Sequence, residues 1–242
     1  MKLKIERFRE LSKREMLEKA LSKTKGFYRP FDPGQYLYNL LLDKTDSNED
    51  VNYLFSEECL KLIYTTLIAW NMNGRGARLN EFDEFKNTIR NNKPRINSLR
   101  GYKIEELDES DLRHVLRNIN ILFKDLDLVG KTKNKKIKSK LVTFSKTMHF
   151  LLPELIVPID RKYTLNFFYN TTLLDTDDNS DKNNEKQIKV FNELFEIFHA
   201  FSREHDFKKY IDKEWNRNIP KTIDNAVIGY MLLESETEKF KN

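Results

Sequence analysis

Apolar residues recur at three- and four-residue intervals along most of this chain, and very little interrupts them. Seven Gly and six Pro are spread over 242 residues, too few for the many turns that a sheet protein of this length requires. The spacing predicts an all-α protein. A stripe of Leu3, Phe8, Leu11, Leu17 and Leu21 predicts an amphipathic helix over 2–24, ended by Gly26. Tyr36–Leu42 predicts a short apolar helix, and Asp43–Asp50 a polar surface loop. Ser56 precedes Glu57 and Glu58, the arrangement of an N-cap with acids in the first turn. Asn73–Gly76 breaks the helix that follows, and 77–92 resumes it. Asp108 opens a helix with Leu112, Val115, Ile119 and Leu122 on its buried side; Leu141–Leu152 and 161–170 follow. Asp175–Glu185 reads as a polar, flexible insert. Val190–Phe201 and the stretch after Pro220 complete the set. The length suits one helical domain, or two lobes around a cleft.

Charged residues make up 33% of the chain, and no apolar run approaches the length of a membrane span. The N-terminus lacks the uncharged core of a signal peptide. One cysteine, Cys59, excludes an intramolecular disulfide and a cysteine-rich zinc site; its helical, apolar flanks make it a small buried hydrophobe. The cytoplasm is the expected compartment. The net charge of +5 suits a polyanionic partner, with nucleic acid the first expectation. No metal-binding or cofactor-binding pattern occurs, so neither is expected. His114, His199 and His205 stand apart from any such pattern.

Three constellations carry chemistry. The first is Lys146, His149 and Asp160. Lys146 and His149 are three apart and share a helix face, offset from the stripe of Leu141, Phe144, Met148 and Leu151, so that face is expected to line a cleft. Pro153 ends the helix, and Pro158 restricts the approach to Asp160. A partly deprotonated amine attacks a sugar C1′ or a carbonyl; Lys138 and Lys140 are near enough in sequence to favour that state by repulsion. A carboxylate activates water or stabilises an oxocarbenium-like transition state. The bland reading competes: Asp160 before a helix is a natural N-cap, and Lys146 and His149 suit a solvated flank and a boundary position.

The second is the run of Lys131, Lys133, Lys135, Lys136, Lys138 and Lys140, with no acid between them. Such a density neutralises phosphates and reads backbone, not base order. It suits a solvated loop equally well. The third is Trp70–Arg78, in which Gly74 and Gly76 flank Arg75. Close backbone approach and the guanidiniums of Arg75 and Arg78 suit a phosphate. Trp70 suits either a wedge or, more often, a core position.

The segment from Ser139 to Phe168, with Lys146-Thr147 on one helix and Pro158-Ile159-Asp160 opening the next, resembles the core of the helix-hairpin-helix DNA glycosylase superfamily. The longer string also looks like that of prokaryotic helical proteins to which no function is attached. The glycosylase resemblance implies a two-lobe helical fold that bends duplex DNA and extrudes a base. It implies Asp160 as the essential carboxylate and Lys146 as the candidate nucleophile, with Lys140 standing at a longer separation. Arg75, Arg78, the six lysines, His149 and Arg161 are then the expected nucleic-acid contacts. Two other expectations stand beside it: a non-catalytic nucleic-acid-binding module, and a helical protein-interaction or regulatory domain.

Overall fold

The computed structural model describes residues 3–27, 31–50, 52–70, 79–130, 140–174 and 180–239. Among them the chain forms eleven α-helices and no strand; an isolated bridge pairs Leu79 with Val129. The helices are α1 (Glu6–Leu11), α2 (Arg14–Phe27), α3 (Pro33–Asp46), α4 (Glu57–Ala69), α5 (Phe82–Asn91), α6 (Lys93–Asn97), α7 (Glu109–Asp125), α8 (Leu141–Leu151), α9 (Asn166–Tyr169), α10 (Ser180–Glu204) and α11 (Ile219–Lys239). A single π turn, Arg161–Leu165, runs directly into α9. Among the described residues no helix is long and apolar enough to cross a membrane.

Local chemistry sets many of the boundaries. Ser56 and Asp108 accept the N–H of Cys59 and Asp111, and so cap α4 and α7. Asp32 accepts the N–H of Gln35 ahead of Pro33, which starts α3 earlier than its apolar residues indicate. That helix also runs on to Asp46, through the first half of the expected polar loop. The expected helix over 2–24 is two helices. α1 docks on α9, where the Lys4 N–H donates to Phe168 O at 2.7 Å and the Arg7 guanidinium to Asn166 O at 2.8 Å. α2 packs along α11 instead. One straight rod cannot meet both partners, so the chain turns at Ser12. Gly26 sits inside the last turn of α2.

The polar insert expected at 175–185 is only partly described. Its residues 175–179 lie outside the described residues, and from Ser180 the chain is helical. Asn183 and Gln187 are buried there. Their polarity marks a contact with the body of the fold.

α8 is the central helix, and all eleven of its residues are buried. Phe144 packs on Phe123 of α7 and Phe191 of α10. The N-terminus of α8 has no side-chain cap of its own. Gln187 of α10 supplies one from a distance, its Oε1 accepting the N–H groups of Lys140 at 2.8 Å and Leu141 at 2.9 Å. Replacing Gln187 by leucine keeps the bulk and leaves two donors unsatisfied, one of them buried. The expected loss is about 2 kcal/mol, read as a lower urea midpoint with unchanged slope.

Candidate functional site

Five chain segments converge on one cavity of about 270 Å³. Asp32 and Gln35 enter from the start of α3, and Ala69 and Trp70 from the end of α4. Lys146 comes from α8, Pro158, Asp160 and Tyr163 from the loop and the π turn, and Lys221, Asp224 and Ile228 from α11. The volume falls just below the range of about 300–1,000 Å³ typical of small-molecule sites, so it suits one ring or one sugar.

Asp160 is both a cap and a cavity residue. Its Oδ1 accepts the N–H groups of Lys162 at 2.7 Å and Tyr163 at 3.3 Å, which starts the following turn. Its backbone N–H donates to Thr164 Oγ1 at 3.0 Å. Oδ2 points the other way and meets Lys146 Nζ at 3.4 Å. The Asp160 side chain keeps 33% of its surface accessible, against 9% for Lys146. One oxygen of this carboxylate therefore caps the turn while the other meets Lys146 at the cavity.

His149 does not line the cavity with Lys146. It is fully buried, and its Nδ1 lies 2.6 Å from Ile156 O. The expectation of a nucleic-acid contact at His149 is corrected on this ground. After Pro153 the chain turns back and lays its backbone along the polar face of α8, where the Ile159 N–H donates to Ser145 Oγ at 3.0 Å. Of the two side chains expected to line a cleft, His149 holds that returning loop and Lys146 reaches the cavity. Tyr38 stacks on the imidazole at 5.2 Å. Burial drives the His149 pKa down to about 3, the hydrogen bond to Ile156 opposing and Lys221 adding to the fall.

α11 contributes what the sequence reading did not single out. Lys221 Nζ donates to Asp224 Oδ2 at 2.7 Å and to Asn225 Oδ1 at 2.9 Å. Both members of this ion pair are buried, with side-chain exposures of 3% and 7%. Burial pushes the Asp224 carboxyl above the ordinary range, Lys221 and Lys146 opposing and Asp160 adding to the rise. The two ion pairs thus feel each other's charge. Both ammonium groups lie over Trp70, at 5.6 Å for Lys146 and 5.1 Å for Lys221. Trp70 packs on Tyr38 and Phe150 behind, so it is at once core and cavity wall. A signal for Lys221 and Asp224 exists in the sequence. They are the only charged residues between Asn218 and Leu233, and they stand three apart, on one face of the helix.

The other expected contacts are dispersed or undescribed. Arg75, Arg78, Lys131, Lys133, Lys135, Lys136 and Lys138 lie outside the described residues. Lys140 is described, and its ammonium turns toward α7, 5.0 Å from the Phe123 ring and 3.4 Å from Lys124 O. Burial lowers its pKa to about 8, Asp127 and Asp125 opposing. It is absent from the cavity lining, so of the two lysines considered with Asp160 only Lys146 meets it. Arg161 is half-buried directly after Asp160. Cys59 is fully buried and its thiol is pushed up to about 12 by burial. Among the described residues no group of three or more His, Cys, Asp or Glu is placed to hold a metal ion. Comparisons with protein-family models, curated proteins and solved structures returned no match.

Proposed function

We propose that this protein binds DNA and acts on an extruded nucleotide in the Asp160 cavity, in the manner of a helical DNA glycosylase. The observation that carries the reading is the divided use of Asp160: Oδ1 fixes the carboxylate to its turn, and Oδ2 is left at a cavity of ring size beside Trp70. A carboxylate held rigidly at such a wall stabilises positive charge developing at a sugar C1′ as the base departs with the bonding electrons, and orients the water that replaces it. Lys146 is the charge partner of that carboxylate. An amine occupied by a carboxylate and an aromatic ring is poorly presented as an attacking group, so the carboxylate takes the leading role. The net charge of +5 supports attraction to the backbone, with Lys131, Lys133, Lys135, Lys136, Lys138, Lys140, Arg75, Arg78 and Arg161 as the proposed contacts.

The test is base release from duplexes carrying damaged or mismatched bases. Asparagine caps a helix about as well as aspartate, so Asp160→Asn keeps the turn and removes the charge. The expected result is a fall of about a hundredfold or more in release rate with little change in melting temperature. Borohydride trapping is expected to yield no covalent adduct; an adduct lost in Lys146→Met would reassign that amine as nucleophile. Absence of duplex binding at low salt would end the proposal.

One observation favours a second reading, a non-catalytic nucleic-acid-binding module. Both oxygens of Asp160 already have partners within the fold. On that reading DNA binding is salt-dependent and survives Asp160→Asn unchanged.

A further inference from the structure

The polar groups around the cavity are unequally occupied. Asp224 Oδ2 accepts from Lys221, but Oδ1 makes no hydrogen bond among the described residues, although the residue is only 6% exposed and lines the cavity. Asp160 Oδ2 has one partner, Lys146 at 3.4 Å, a weak contact for a charged pair. The ammonium groups, by contrast, are engaged: Lys221 with Asp224 and Asn225, and Lys146 with Asp160 and the Trp70 face. Two carboxylate oxygens at the cavity therefore keep capacity to accept a hydrogen bond. The charge balance agrees, since Asp32, Asp160 and Asp224 face two lysines there. A ligand that brings N–H groups to these two oxygens gains charge-assisted hydrogen bonds in place of water.

Taking the cavity as the nucleotide site proposed above, we propose that it selects a heterocyclic base with an exocyclic amino group. The amino N–H donates to Asp224 Oδ1, Asp160 Oδ2 is the second acceptor, and the ring lies against Trp70. Cytosine-type and adenine-type rings meet this requirement. Uracil-type and hypoxanthine-type rings place a carbonyl oxygen where the amino group would be, and an acceptor facing an acceptor is repelled.

Calorimetric titration of the full chain with cytidine and uridine, and with adenosine and inosine, tests this, because within each pair only the amino group, replaced by a carbonyl, and the proton on the adjacent ring nitrogen change. The amino member is expected to bind at least about tenfold more tightly in each pair, and Asp224→Asn is expected to narrow the ratio. If Asp224→Asn does not fold, the wild-type ratios decide alone. Equal affinity within each pair, preference for the carbonyl member, or no nucleoside binding at millimolar concentration would overturn the proposal. Carbonyl preference together with loss of base release in Asp160→Asn would leave the nucleotide site standing and remove only the amino selection. No nucleoside binding together with base release indifferent to Asp160→Asn would remove both.

Discussion

Gly229→Ala is expected to destabilise the protein by about 2–3 kcal/mol, although the same exchange within a helix normally stabilises by up to about 1 kcal/mol. A Cβ built at Gly229 would sit 1.9 Å from Ala20 O and 2.5 Å from Ala20 C. Both are backbone atoms of α2, so no rotamer change makes room, and the two helices must separate. Their contact is held by Thr24, whose Oγ1 donates to Asn225 O at 2.5 Å and would itself lie 2.5 Å from the new methyl. Separation therefore pulls on the turn that carries Lys221 and Asp224. Gly26 is the internal control: it also lies in a helix, α2, but a Cβ there meets nothing within 4 Å. Gly26→Ala is expected to be neutral or slightly stabilising. Urea melts of the two variants check the contrast, and equal stabilities would mean that the α2–α11 crossing yields to a methyl group without cost.

Acidification from pH 6.5 to 5 is expected to cost about 2 kcal/mol of stability through His149 alone. The imidazole is fully buried, Nδ1 meets Ile156 O, and Nε2 has no hydrogen-bond partner among the described residues. Protonating Nε2 would place a charge among the rings of Tyr38, Trp70 and Phe150. The folded pKa is depressed from 6.5 to about 3, so between those values the unfolded chain binds more protons. The stability is complete above pH 6.5 and is lost as pH falls toward 3. The slope through that window is about 1.4 kcal/mol per pH unit. His149→Asn keeps a donor near Ile156 O and cannot titrate. It will be less stable at neutral pH, because it leaves a void, but its stability should fall less steeply from pH 6.5 to 5. Parallel pH profiles for the two proteins would show that another group governs the acid limb.

How much of the site was legible in the sequence depends on which residue is asked about. Asp160 was legible twice, as a cap before a helix and as a carboxylate set by Pro158, and the structure lets it serve the cavity with one oxygen and the turn with the other. Lys146 was legible because it is the only Lys, Arg, Asp or Glu between Leu141 and Pro153. His149 was misread because helical spacing reports which residues share a face and is silent on what covers that face. Here the covering group is the backbone of 156–159, which follows in sequence but leaves no mark in it. Lys221 and Asp224 went unnoticed because they are local to one helix, and nothing in their spacing ties them to Lys146 some seventy-five residues earlier.

The sequence by itself determined that this chain is helical, where α4, α7, α8 and α11 begin, and which side chains cannot remain in water. Those properties depend on neighbours within one or two turns, through capping, spacing and side-chain transfer from water. Only the tertiary structure decided that α1 and α2 diverge at Ser12, that Gln187 caps α8 from α10, and that the Lys146–Asp160 pair and the Lys221–Asp224 pair of α11 meet at Trp70. Such meetings depend on which helix faces bury each other, and on whether backbones approach as closely as they do at Gly229. Packing selects them over distances along the chain at which periodicity carries no information.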